Sequence, residues 1–216
     1  LSERAAVADL AIVDADVEPA FRAVADPGLE HDRRPVAAVV GKDDDGPGPE
    51  LAQATRAAGG IVVWIQTEAL INDPQDWANR KEATSDEGWR RRQTLLARDG
   101  EGFGIYPTCE VLPEDKIALK YRYSAFIPYP SPLDGVLKQN AIDTLLITGV
   151  ATSTCCESTA RDAAMWGYRT IMVSDGNADQ TDALHNHTLG KFLVTFGDVQ
   201  STDDLIAKLV PATAAA

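Results

Sequence analysis

The chain has 216 residues, 44% of them apolar, enough to bury one sizeable core as a single domain spanning residues 1–216. Its 20 Lys+Arg against 33 Asp+Glu give a formal charge of −13, which repels a phosphate backbone unless the basic residues gather on one face, and no basic run does so. Composition therefore argues against nucleic acid as a partner, and the lack of any apolar run near the roughly 18 residues of a span argues against a membrane.

Three cysteines do not make a disulfide framework, so a reducing cytoplasm is the expected compartment. No basic segment followed by an apolar one stands at the start, and no signal peptide is expected. The chain begins with Leu1 rather than Met, which leaves room for residues upstream.

In chain order, the first apolar run of strand length is "DLAIVDAD" (9–16). Residues 25–50, including "GKDDDGPGPE", are rich in Pro, Gly and Asp and read as loop. The helix-like "PELAQATRAAGG" ends in glycines suited to a C-cap and leads to a strand at "GIVVWIQT" (60–67). From Asn72 to Glu101 the sequence is polar, with "GWRRRQTLLARDGEG" as a surface helix, and this stretch is placed as a flap over an active site. Further strands follow at "DKIALKY" (115–121), "DTLLITGV" (143–150) and "YRTIMVSD" (168–175), separated by helices at "SPLDGVLKQNA" and "CCESTARDAAMWG". A last helix, "TDALHNHTLGKFLVTFG", leads to a short edge strand near Phe196 to Val199, and Ser201 caps a terminal helix. The strands are continuously apolar, as in a parallel sheet buried on both faces. Strand and helix alternate, which predicts a doubly wound, Rossmann-like α/β fold.

In such a sheet the ligand crevice lies at the carboxyl ends of the strands. Cys155 falls there, in the turn between the strand ending at Val150 and the next helix, and a helix N-terminus favours thiolate over thiol. Cys156 points about 100° away and is read as packing. Lys120, at another strand end, has an ammonium that can support a thiolate or orient a carboxylate. Asp14 ends the run "LAIVD". Each alone has a plain structural explanation; together, as three strand-end residues of complementary chemistry, they form a less accidental set than any one of them.

"KYRYSAF" followed by "LLITGVATSTCCESTARDAAMWGYRTIMVSD" resembles the isochorismatase-like cysteine hydrolases, the superfamily of nicotinamidases and of N-carbamoylsarcosine, ureidoacrylate and biuret hydrolases, over about Ile117 to Leu209. The resemblance implies a parallel sheet of about six strands flanked by helices, with Cys155 as nucleophile and Lys120 as catalytic lysine. It places the catalytic aspartate at the end of the first strand, for which Asp14 is the matching position. It also implies a non-proline cis peptide between Val150 and Ala151, an oxyanion hole made by the backbone N–H groups of Ala151 and Cys155, and Thr152 holding the turn. A homo-oligomer, dimer or tetramer, is implied as well. The N-terminal part departs from the pattern, for the family commonly carries Gln two residues after the aspartate, where this chain has Asp16. Asp16 is therefore a rival to Asp14.

A nicotinamidase metal site would need D-x-H and a further His, but only His31 precedes position 185, so neither metal nor cofactor is expected. His185 and His187, two apart on a helix, face differently and are read as surface or interface. Trp64 and Gln66 end the second strand and, with Thr152, are candidates for the substrate pocket. The expected function is a cysteine-dependent amidohydrolase cleaving a C–N bond of a small amide, ureido or carbamoyl compound through a thioester. Three alternatives stay open. One is vinyl ether hydrolysis of the isochorismatase type, whose branch usually lacks the cysteine. Another is a noncatalytic binding protein on the same fold. The third is a redox sensor, which the strained ring of a vicinal disulfide disfavours.

Overall fold

The computed structural model describes residues 36–41, 48–70, 77–107, 109–127 and 131–209. Among these, six strands form one all-parallel sheet: β1 (Val36–Gly41), β2 (Ile61–Thr67), β3 (Lys116–Lys120), β4 (Thr144–Val150), β5 (Arg169–Ala178) and β6 (Asp198–Gln200), in the order β3-β2-β1-β4-β5-β6. The described helices are α1 (Gly48–Ala57), α2 (Ala78–Glu82), α3 (Asp86–Leu95), α4 (Pro132–Gln139), α5 (Glu157–Met165), α6 (Asp182–Thr195) and α7 (Thr202–Lys208).

Side chains alternate across each strand, so the sheet divides its apolar residues between two layers. Leu145 and Ile147 of β4 join Ala37, Val39, Val63 and Ile65 on one face, beneath Leu133 and Leu137 of α4, Ala160 and Ala163 of α5, and Leu189 and Phe192 of α6. Leu146 faces the other way, with Ile171 and Val173, against Leu51 of α1 and Leu205 of α7. Beside it, Ala38, Val62 and Trp64 pack on Ala52 of α1 and on Cys109. Ser85, Ser131, Thr181 and Ser201 each accept an N–H three residues on and so start α3, α4, α6 and α7. Gly167, at φ 91°, ends the turn after α5, where the left-handed conformation favours glycine.

The reading of residues 25–50 as loop is corrected. "VAAVVG" forms the central strand β1, paired with β2 on one side and β4 on the other, and α1 begins at Gly48. Six small and β-branched residues suffice for a strand buried on both faces, with Ala37 and Ala38 fully buried, but Pro, Gly and Asp in the flanks dominate the local composition. The strand expected at residues 9–16 lies outside the described residues.

Chain order along the sheet reverses between β1 and β4. From β1 the chain steps outward through β2 to β3, and from β4 it steps outward through β5 to β6. A crevice opens at the carboxyl ends of strands at such a reversal.

Candidate active site

β4 ends in Gly149, at φ 116°, and Val150, followed by a cis peptide bond between Val150 and Ala151. The next five residues, Thr152–Cys156, form a single π-helical turn that runs into α5. Such turns are rare and tend to occur at functional sites. The N–H groups of Thr154 and Cys156 both donate to the Ala151 carbonyl, at 3.1 and 3.2 Å, folding the turn back on its own start.

Cys155 is partly exposed on this turn, and Cys156 is buried with its sulfur 3.9 Å from the Thr148 carbonyl. The Cys155 carbonyl accepts the Thr159 hydroxyl at 2.7 Å, and that hydroxyl accepts the Ala125 N–H at 3.1 Å. This ties the Cys155 backbone to the segment following β3. Lys120, the last residue of β3 and only 5% exposed, donates from Nζ to Cys155 Sγ at 3.3 Å and to the Arg122 carbonyl at 3.0 Å.

The two residues meet in a cleft, open to solvent, at the carboxyl ends of β1 to β4. Val39, Ile65, Thr67, Ile147, Thr148, Val150, Cys156 and Thr159 line it with them. Thr148 Oγ1 is buried without a hydrogen-bond partner. The cleft therefore offers a largely apolar lining around a lysine–thiol pair, which suits nucleophilic attack on a small carbonyl compound. Among the described residues, no group of three or more His, Cys, Asp or Glu side chains stands close enough to hold a metal ion.

The other expected site residues are placed differently. Trp64 is buried on the far layer, where its indole N–H donates to Asp115 at 2.9 Å, and it does not line the cleft. Gln66 donates to the Phe103 carbonyl at 3.3 Å and is likewise not part of the lining. Thr152 is fully buried and sits behind the cleft, with Oγ1 2.9 Å from Nδ1 of His185. Asp14 and its rival Asp16 lie outside the described residues. The first strand of the described sheet, β1, ends in Gly41 and carries no carboxylate.

His185, read from the sequence as surface or interface, is half-buried and bonds the Thr152 hydroxyl. Nearby, Asp179 accepts the backbone N–H of Ser153 at 2.6 Å and that of Gln180 at 2.8 Å. Burial works against the charge of Asp179, but the hydrogen bonds from Ser153 and Gln180, with His185 close by, hold its carboxyl below the usual range. No spacing in the sequence joins 179 and 185 to 152 and 153; the link exists only after β5 pairs with β4.

The family model of the Isochorismatase domain matches residues 49–204, most of the chain. The chain belongs to the isochorismatase family. Among curated proteins it is 30% identical over 201 residues to a ureidoacrylate amidohydrolase of Methylobacterium radiotolerans, covering 86% of this chain and 74% of that one. It is 31% identical to the ureidoacrylate amidohydrolase of Variovorax paradoxus over 74% of this chain and 67% of that one. A shorter match of 37% identity joins it to enterobactin synthase component B of Escherichia coli, over 48% of this chain and 35% of that one. Of solved structures, a cysteine hydrolase from Pseudomonas syringae shares the fold with a TM-score of 0.69 at 24% identity, covering 81% of this chain and 92% of that one. N-carbamoylsarcosine amidase from Thermoplasma acidophilum shares it with a TM-score of 0.63 at 24% identity, over 79% and 97%.

Proposed function

We propose that this member of the isochorismatase family is a cysteine amidohydrolase that cleaves a C–N bond of a small amide, ureido or carbamoyl compound. The observation that carries the reading is the contact of the buried Lys120 ammonium with the Cys155 sulfur inside the cleft. A thiolate held there attacks the substrate carbonyl, and backbone N–H groups of Ala151 and Cys155 receive the oxyanion. Asp14 takes the thiol proton and returns it to the departing nitrogen. Ammonia or an amine leaves, and water then hydrolyses the thioester. The names of the relatives with matches of 30% and 31% support a ureido compound as substrate. Vinyl ether hydrolysis needs no nucleophilic sulfur, so the Lys120–Cys155 pair favours the amide reading.

Ammonia release should be screened across ureidoacrylate, N-carbamoyl amino acids, biuret, nicotinamide and simple amides. At least one should be turned over, and Cys155→Ala should end that turnover. If none releases ammonia from a folded protein, the reading fails.

A further inference from the structure

The turn that carries Cys155 cannot cap itself. The N–H groups at the start of a helix lack partners within it, and Ala151, in the capping position, has no side-chain oxygen to offer. The connection from β5 to α6 supplies a cap, and the first turn of α6 adds a second tie. Asp179 takes the Ser153 N–H at 2.6 Å, and His185, in the first turn of α6, bonds the Thr152 hydroxyl at 2.9 Å. Thr152 is fully buried, so this hydroxyl has no access to solvent in exchange. Neither Asp179 nor His185 lines the cleft. The sulfur, by contrast, has its own supports in Lys120 and, through the Cys155 carbonyl, Thr159.

From this division of supports we infer that His185 is a positioning residue: by anchoring Thr152 it fixes the start of the turn, and with it the direction of the N–H groups that receive the oxyanion. The inference rests on the amidohydrolase reading of Cys155. Removing the His185 contact loosens residues 151–153 and leaves the thiol's partners in place. Chemistry that develops an oxyanion must then suffer more than chemistry that does not.

Two reactions of the same sulfur separate these effects without knowledge of the natural substrate. In acylation by p-nitrophenyl acetate, the thiolate forms a C–S bond at the carbonyl through an oxyanion, and p-nitrophenolate leaves with the electron pair of the broken C–O bond. In alkylation by iodoacetamide, the C–S bond forms as iodide leaves, and no oxyanion arises. Losing an oxyanion donor outright costs about 100-fold or more, so a misdirected one in His185→Ala should slow acylation by about tenfold or more while alkylation stays within about threefold. His185→Asn places an amide where Nδ1 stood and should restore acylation to within about threefold of the parent. Thr152→Val, which keeps the buried volume but removes the hydroxyl, should repeat the split if His185→Ala fails to fold.

The inference is overturned if acylation is indifferent to His185→Ala. It is equally overturned if both rates fall together and Asn does not rescue, since that is a general structural loss. A parent protein that is never acylated at Cys155 overturns the amidohydrolase reading and this inference with it; acylation that ignores His185 overturns the inference alone.

Discussion

Lys120 Nζ stands 3.3 Å from Cys155 Sγ, although 35 positions separate the two residues in the chain. The Lys120 side chain is buried, and among the described residues its other acceptor, the Arg122 carbonyl, is neutral. A buried cation needs an anion nearby to offset its lost hydration, and in the proposed mechanism a Cys155 thiolate is that anion. Lys120→Met should therefore lower kcat/KM by about 100-fold or more, the scale of losing an acid–base group, and slow iodoacetamide alkylation of Cys155. Lys120→Arg should not rescue, because a planar guanidinium does not fit the place of a compact ammonium. Alkylation as fast in Lys120→Met as in the parent would refute the role of the lysine.

Adjacent sulfurs should behave as opposites. Cys155→Ala should abolish turnover. Cys156→Ala, which removes a buried sulfur and leaves Cys155 and its contact with Lys120 in place, should retain most of it at a stability cost of about 1 kcal/mol. Comparable losses of turnover in both variants, with circular dichroism unchanged, would defeat the assignment of a single nucleophile.

Much of this architecture was readable because long apolar runs such as "DTLLITGV" leave few alternatives to a buried parallel strand, and because Gly167 and Ser201 mark helix boundaries by their own chemistry. Cys155 and Lys120 were readable as strand-end residues. β1 was not, since six apolar residues between Pro35 and an Asp–Gly-rich segment give too short a signal against their surroundings. Trp64 falls in the middle of β2, where the alternation of side chains turns it to the layer opposite the cleft and its indole bonds Asp115. The His185–Thr152 contact depends on tertiary pairing, and no local pattern encodes it.

The general base should be an aspartate supplied from outside the described residues. Asp14→Asn should cost about 100-fold in kcat/KM, as expected for a general base, and more than Asp16→Asn. A larger loss at Asp16 would move the base by two residues. Full activity in both variants, with loss on replacing Asp43, Asp44 or Asp45, would instead assign the base to the acidic run that follows β1 in the chain.

Stability at low pH should depend on Asp115, which accepts from Arg56 at 2.6 Å, from the Trp64 indole at 2.9 Å and from the Leu112 N–H at 2.9 Å. Burial alone would raise its pKa, but the hydrogen bonds from Arg56, Trp64 and Leu112 and the charge of Arg56 outweigh it and hold the carboxyl below the usual range. A pKa lower in the folded than in the unfolded state gives stability that is complete above the unfolded value, about 3.9, and is lost as pH falls through the folded one. Asp115→Asn breaks a buried pair worth about 3 kcal/mol, so Tm at pH 7 should drop by about 6–12 °C. The difference from the parent should shrink as the pH is lowered toward 2. A difference independent of pH would contradict the role given to this carboxylate.

The most direct test of the account is mass spectrometry of enzyme quenched during turnover of whichever amide or ureido compound it hydrolyses. The peptide containing Cys155 should carry the substrate's acyl fragment, and hydroxylamine added during turnover should remove that fragment as the hydroxamate. Cys155→Ala should show neither adduct nor hydroxamate. Turnover at a normal rate with no adduct on Cys155, and with no hydroxamate formed, would contradict the covalent mechanism at its centre.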